Sequence, residues 1–125
     1  MAIKITKWDR VFSKYIRTRD NWTCQRCGTG HPPNSQGLHC SHFVGRAKYS
    51  VRFSEENCEA LCYGCHQYFT SNPDIHRAHK VKRLGRAKFK ALKLRSRKLV
   101  KKRDVLTKEF YEELKQKLEE LPQWQ

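Results

Sequence analysis

The spacing of hydrophobic positions changes several times along the chain, and each change predicts an element. In residues 8–19, Trp8, Val11, Phe12, Tyr15 and Ile16 recur at helical spacing, while Arg10, Lys14 and Arg17 fall largely elsewhere. That pattern predicts an amphipathic helix whose aromatics pack into a core, stopping near Asp20-Asn21. GTGHPPNSQG follows the first cysteine pair and is a loop, since no regular element tolerates so much Gly, Pro, Asn and Ser. A short strand is expected over residues 38–44, a turn near Gly45, and a second extended piece over residues 49–53. After polar SEEN the chain should enter a helix near Cys62, running to about residue 70. Gly85 is a break between two basic helices, and Thr107 can cap a last one. There Phe110, Leu114, Leu118 and Leu121 share a face that could fold back on the core or pair with its copy in a homodimer.

Charge then narrows the class. Lys and Arg number 27 against 12 acids, for a formal charge of +15 in 125 residues. Residues 77–103 alone hold fourteen Lys or Arg and no acid. Such an excess predicts a polyanionic partner, because each phosphate neutralised releases a bound counterion. Lys82, Arg83, Arg86, Lys88, Lys90 and Lys93 are candidate phosphate contacts, of the kind that position DNA without reading its sequence. No apolar run is long enough to cross a bilayer, and the N-terminus has no signal-peptide core, so a cytoplasmic setting is expected.

Cysteine spacing adds a metal. Cys24-Gln25-Arg26-Cys27 and Cys62-Tyr63-Gly64-Cys65 are two C-x-x-C pairs, whose spacer lets both thiolates of each face one tetrahedral ion. Gly28 and Gly64 stand where tight turns are expected. In a reducing compartment this predicts a structural zinc site, a useful supplement for a small core. Cys40 and Cys58 are left over as small buried hydrophobes; either could be a further zinc ligand, though no spacing supports that.

Between and beside these pairs lie His42, Asn57 and His66. Hydrolysing a phosphodiester needs an activated water, a cation on the phosphate oxygens and in-line geometry. A neutral imidazole can accept the water's proton near physiological pH, a role assigned to His42. His66 can offer a ring nitrogen to a divalent ion, Mg²⁺ or Mn²⁺. Asn57 would bond backbone and fix the loop behind His42. Taken singly, each of these residues has an ordinary structural role. The order H…N-x4-C-x2-C-H ties all three to one scaffold.

N-x4-C-x2-C-H resembles the closing half of the His-Asn-His (HNH) endonuclease motif with a zinc clip. More narrowly, the chain is similar to the phage Rap (NinG) recombination nucleases. DRVFSKYIRTRD, SHFVGR, VRFSEEN, CHQYFTSN, LGRAKF and EFYEELKQKLEEL carry that similarity over nearly the whole length. The resemblance implies an α+β fold with a zinc-clipped ββα-metal core in residues 1–72. A basic helical DNA-binding or oligomerisation extension would fill residues 73–125. It further implies an endonuclease acting on branched DNA, such as Holliday junctions or D-loops, in a phage-infected bacterial cell. In many members of the wider motif family an Asp ligand precedes the first His, and here Ser41 stands there. A hydroxyl is a poorer ligand than a carboxylate, so His39, on the pleat face of Ser41, and Glu56 are candidate further ligands. Arg46 and Arg52 are candidate phosphate clamps. The competing readings are a sequence-specific or nicking His-Asn-His nuclease and a non-catalytic zinc module that coats or bends DNA.

Overall fold

A computed structural model describes residues 3–122. Its elements are α1 (Lys7–Arg19), β1 (Leu38–His42), a 3-10 turn (Glu55–Asn57), β2 (Cys58–Cys62), α2 (Tyr63–Ser71), α3 (Pro73–Leu84), α4 (Arg86–Ser96), α5 (Lys102–Val105) and α6 (Lys108–Glu120). Helix α1 starts at a capping box: Thr6 Oγ1 accepts the Asp9 N–H, and Asp9 Oδ2 accepts the Thr6 N–H at 2.8 Å. It stops where Asn21 (φ 55°) and Trp22 (φ 51°) take left-handed conformations that turn the chain into the first cysteine pair. Buried Phe12, Tyr15 and Ile16 lie along its inner face.

The two strands pair antiparallel, with Leu38 opposite Cys62 and His42 opposite Cys58. This corrects the expected partner strand. Residues 49–53 form turns, because their neighbourhood satisfies backbone groups locally: Val51 N–H donates to Lys48 O and Ser54 N–H to Val51 O, both at 3.1 Å. The ladder goes instead to CEALC, whose first four residues are buried. Alternation did not mark it, because Glu59 is as buried as its apolar neighbours. Gly64 also departs from expectation: it sits inside the first turn of α2, and among the described glycines only Gly28 and Gly85 have positive φ.

One apolar cluster joins Trp22, Leu38, Leu61 and Phe69 between α2 and the sheet. The other sets Phe12 and Ile16 of α1 against Cys58 and Leu114, with Phe53, Phe110 and Leu118 around them. Helix α6 therefore folds back on α1, and Trp8 Nε1 donates at 2.8 Å to the backbone carbonyl of Thr107, the residue that caps α6.

Buried charges fasten the remaining pieces. Arg52, 1% exposed, meets Asp9 through two bonds of 2.9 and 2.7 Å, a fork geometry that suits a guanidinium and a carboxylate. Glu59 on β2 is fully buried and faces Lys80, His79 and Arg83 of α3. Asp20 binds Arg19 and Arg83 and accepts the Ala60 N–H at 2.8 Å. Removing one member of such a pair strands the other in a poor solvent for charge. Arg52→Met should accordingly cost about 3–5 kcal/mol of stability in urea unfolding. A loss under about 1 kcal/mol would mean that Asp9 is well solvated, as in a surface pair.

Candidate metal centre and histidine clefts

The four cysteines expected to bind zinc come together. Their Sγ atoms all lie within 4.8 Å of one another, and Cys27 and Cys62 are 3.9 Å apart. A tetrahedral zinc with bonds of about 2.3 Å requires sulfur–sulfur spacings of roughly 3.8 Å, so the donor set fits the ion. Local structure explains the convergence. The first pair sits on a turn closed by Gly28 N–H donating to Cys24 O at 2.9 Å, with Gly28 at φ 78°. The second pair straddles the β2–α2 junction, where Cys62 is the N-cap of α2 and its Sγ accepts the Cys65 N–H at 3.4 Å. Arg26 Nη1 donates to Cys65 Sγ at 3.4 Å, and its guanidinium stacks on Tyr68. Four thiolates around one dication would carry excess negative charge, which these N–H donors would offset.

Asn57 is fully buried and uses its whole amide. Its Oδ1 accepts the Val44 N–H at 2.7 Å, and its Nδ2 donates to Val44 O and Val51 O at 2.9 and 3.2 Å. It thus closes the 43–57 loop on itself, which is the scaffold geometry expected of it. The same loop presents Arg52 O to His42, whose Nε2 lies 2.9 Å away. A carbonyl can only accept, so Nε2 carries the proton and Nδ1 keeps its lone pair. Burial pushes the His42 pKa down to about 4, the neighbouring Arg46 acting in the same direction, so the ring is neutral at physiological pH.

His66, on α2, lies with its Nδ1 3.0 Å from His39 Nδ1. Burial, then His39 and Arg46, lower its pKa as well, keeping a ring lone pair available. Two imidazole nitrogens bound cis to one ion at about 2.1 Å would be separated by roughly 3.0 Å, so this pair fits a shared divalent cation. Ser41 Oγ is buried without a hydrogen-bond partner and opens on the same side as His66. Two clefts meet here. The larger, about 830 Å³, is lined by Arg17, His39, His42, Arg46 and His66 among others. The smaller, about 490 Å³, is lined by Ser41, His42, His66, Asp74, Arg77 and Lys93 among others. His42 and His66 border both.

Other expected site residues lie elsewhere. The Glu56 carboxylate points at Arg95, 4.0 Å away, and lines neither cleft. Arg52 cannot clamp a phosphate: its guanidinium is buried and committed to Asp9, Lys4 O and Arg46 O. Arg83 is held by Glu59, Asp20 and Gln25 and serves as a bracket between α3 and the core. Lys82, Arg86, Lys88 and Lys90 are exposed, and Lys93 reaches the smaller cleft. Sequence reasoning passed over Arg77 and Asp74. Their signal was the break at Asn72-Pro73, which starts α3 two residues after α2 ends and so brings its first turns beside His66.

Geometry and donor set define a small mixed protein, helices around a two-stranded sheet, with a four-cysteine group that could hold zinc. Among protein families, residues 4–123 match the Bacteriophage Lambda NinG protein, and the chain belongs to that family. Membership gives it a phage recombination-related function. No curated protein and no solved structure gives a significant match. No helix among the described residues is long and apolar enough to cross a membrane.

Two outcomes follow from the site. Zinc should bind at one ion per four-cysteine group, and chelation or Cys62→Ser should abolish cooperative thermal unfolding; elemental analysis and circular dichroism report both, and a chelated chain that still melts cooperatively would refute the clip. His42 has a folded pKa below its unfolded value near 6.5, so its contribution to stability is fully present above that value and is lost as the pH falls through about 4. Nitrogen-15 shifts should show a neutral His42 ring at about pH 5.5, where a ring with the unperturbed pKa would be mostly protonated.

Proposed function

We propose that this protein is a metal-dependent DNA endonuclease that cuts branched recombination intermediates such as Holliday junctions and D-loops. The observation that carries the reading is the His42 ring, with Nε2 committed to a backbone carbonyl, bordering the same two clefts as His66. A neutral imidazole fixed in one tautomer is what a general base requires. His42 takes the proton from the attacking water. His39 and His66, with Ser41 nearby, would hold a divalent ion whose chemistry is to polarise the scissile phosphate. Asn57 acts at one remove, by fixing the loop that fixes His42. The succession β1, β2, α2 carrying these residues resembles the outline of a ββα-metal site and supports the reading.

Arg46, Arg77 and Lys93 border the clefts and are the phosphate contacts nearest the reacting bond. The exposed cations of α3 and α4 extend the same field along DNA. The branched substrate rests on family membership and its recombination role. Within that role the cytoplasm of an infected bacterium is the setting, and a homodimer would match the two-fold symmetry of a four-way junction. Two imidazoles suit a transition-metal dication better than Mg²⁺, which favours oxygen ligands. Mn²⁺ is therefore the preferred catalytic ion of the pair.

A cleavage panel of junction, D-loop, flap and duplex tests the proposal. Wild type should cut with Mn²⁺ faster than with Mg²⁺, on protein already loaded with zinc. His42→Ala should lose about 10²–10⁴-fold in rate while still binding the junction. Cutting at the wild-type rate by His42→Ala would remove the base assignment, and binding without cutting by wild type would favour a non-catalytic DNA-binding zinc module. Preference for a duplex sequence over any branch would favour the nicking alternative.

A further inference from the structure

The register of the sheet brings together a second set of metal donors outside the four-cysteine clip. His42 and Cys58 are directly opposite across the strands, and Cys40 is the next residue of β1 on the His42 face. Both thiol sulfurs and a ring nitrogen of His42 lie within 4.8 Å of one another. Cys58 is 1% exposed among Phe12, Tyr15 and Ile16, whereas Cys40 is half-buried and lines the larger cleft. The trio therefore has a deep donor, a donor at the cleft wall and a path of entry from it.

We propose that Cys40, His42 and Cys58 form a binding site for a thiophilic cation, Zn²⁺ or Cu⁺, that competes with the chemistry of the His clefts. Two thiolates and one imidazole are a donor set that soft cations prefer and that hard ions such as Mg²⁺ do not. Two thiolates around a divalent ion also leave the buried site neutral, and binding releases both thiol protons to solvent. Because Cys40 and His42 line the larger cleft, a water from it could complete a tetrahedron. An ion that takes either ring nitrogen ends the arrangement in which Nε2 donates to Arg52 O and Nδ1 keeps its lone pair for the water. The silencing half of this inference rests on His42 as the base; the binding half does not.

Cadmium on zinc-loaded wild-type protein is the probe. Beyond any ion at the His39–His66 pair, one Cd²⁺ per chain should bind with a thiolate-to-cadmium charge-transfer band in the ultraviolet, the zinc being retained by elemental analysis. Cys40→Ala should lose both the ion and the band, and His42→Ala should weaken binding by more than roughly tenfold, since even the partners of ligands carry 10–100-fold. In wild type, Cd²⁺ should also protect Cys40 from maleimide labelling read by mass spectrometry, a measurement that needs no variant to fold. No uptake beyond the zinc clip would overturn the site. Uptake unchanged in Cys40→Ala, or labelling unaffected by Cd²⁺, would overturn it too and assign the ion to the His39–His66 pair. Cleavage should stop over the range in which this ion binds; binding with cleavage at full rate would refute the silencing alone. Should the protein cut no DNA at all, stoichiometry and labelling still decide the site.

Discussion

Everything in the candidate site hangs on the pairing of two five-residue strands. Side chains alternate along a strand, so slipping β1 by one residue against β2 would exchange its faces. His39 would leave His66, and His42 would turn away from Arg52 O and Cys58. Little in the ladder itself prevents this, because two short strands are marginally stable alone. The register is held from outside. Asn57 knots the loop at one end of the sheet, and the four thiols gather at the other. Asp20, reaching from the end of α1, accepts the Ala60 N–H in the middle of β2.

That division explains an economy in the charges. Many cations in a basic chain read as DNA contacts, yet Arg19, Arg52, Lys80 and Arg83 are spent within the protein on Asp9, Asp20 and Glu59. Buried ion pairs are no large source of net stability, but their directional bonds discriminate between arrangements of similar apolar burial. Here they set the position of the loop that carries Arg52 and the tilt of α3 against the sheet. The charge left without an internal carboxylate partner is correspondingly a smaller set.

How much was legible follows from which forces leave a mark in sequence. The cysteine pairs were readable because tetrahedral coordination imposes a spacing, and α1 and α6 because an amphipathic face imposes a period. His42, Asn57 and His66 stood out as candidates only jointly, through their order around the second pair. The second strand was not, since Glu59 breaks the apolar run and is compensated by α3, more than a dozen residues later. Arg52 was misread for the same reason: its partner Asp9 lies 43 residues away, and no local pattern distinguishes a buried arginine from an exposed one. Arg77 and Asp74 became visible only once α3 was placed.

The fold-back of α6 on α1 has a consequence for synthesis. Trp8 and its acceptor at Thr107 are 99 positions apart, so the inner face of α1 leaves the ribosome long before its cover exists. At about 5–20 residues per second that interval is roughly 5–20 s. Phe12 and Phe53 stay partly uncovered throughout it, while the thiol clip, closed by residue 65, can already be complete. Nascent chains should therefore pass through a stage that is metal-bound, half-covered and prone to recruit chaperones, and late truncations should trap them in it.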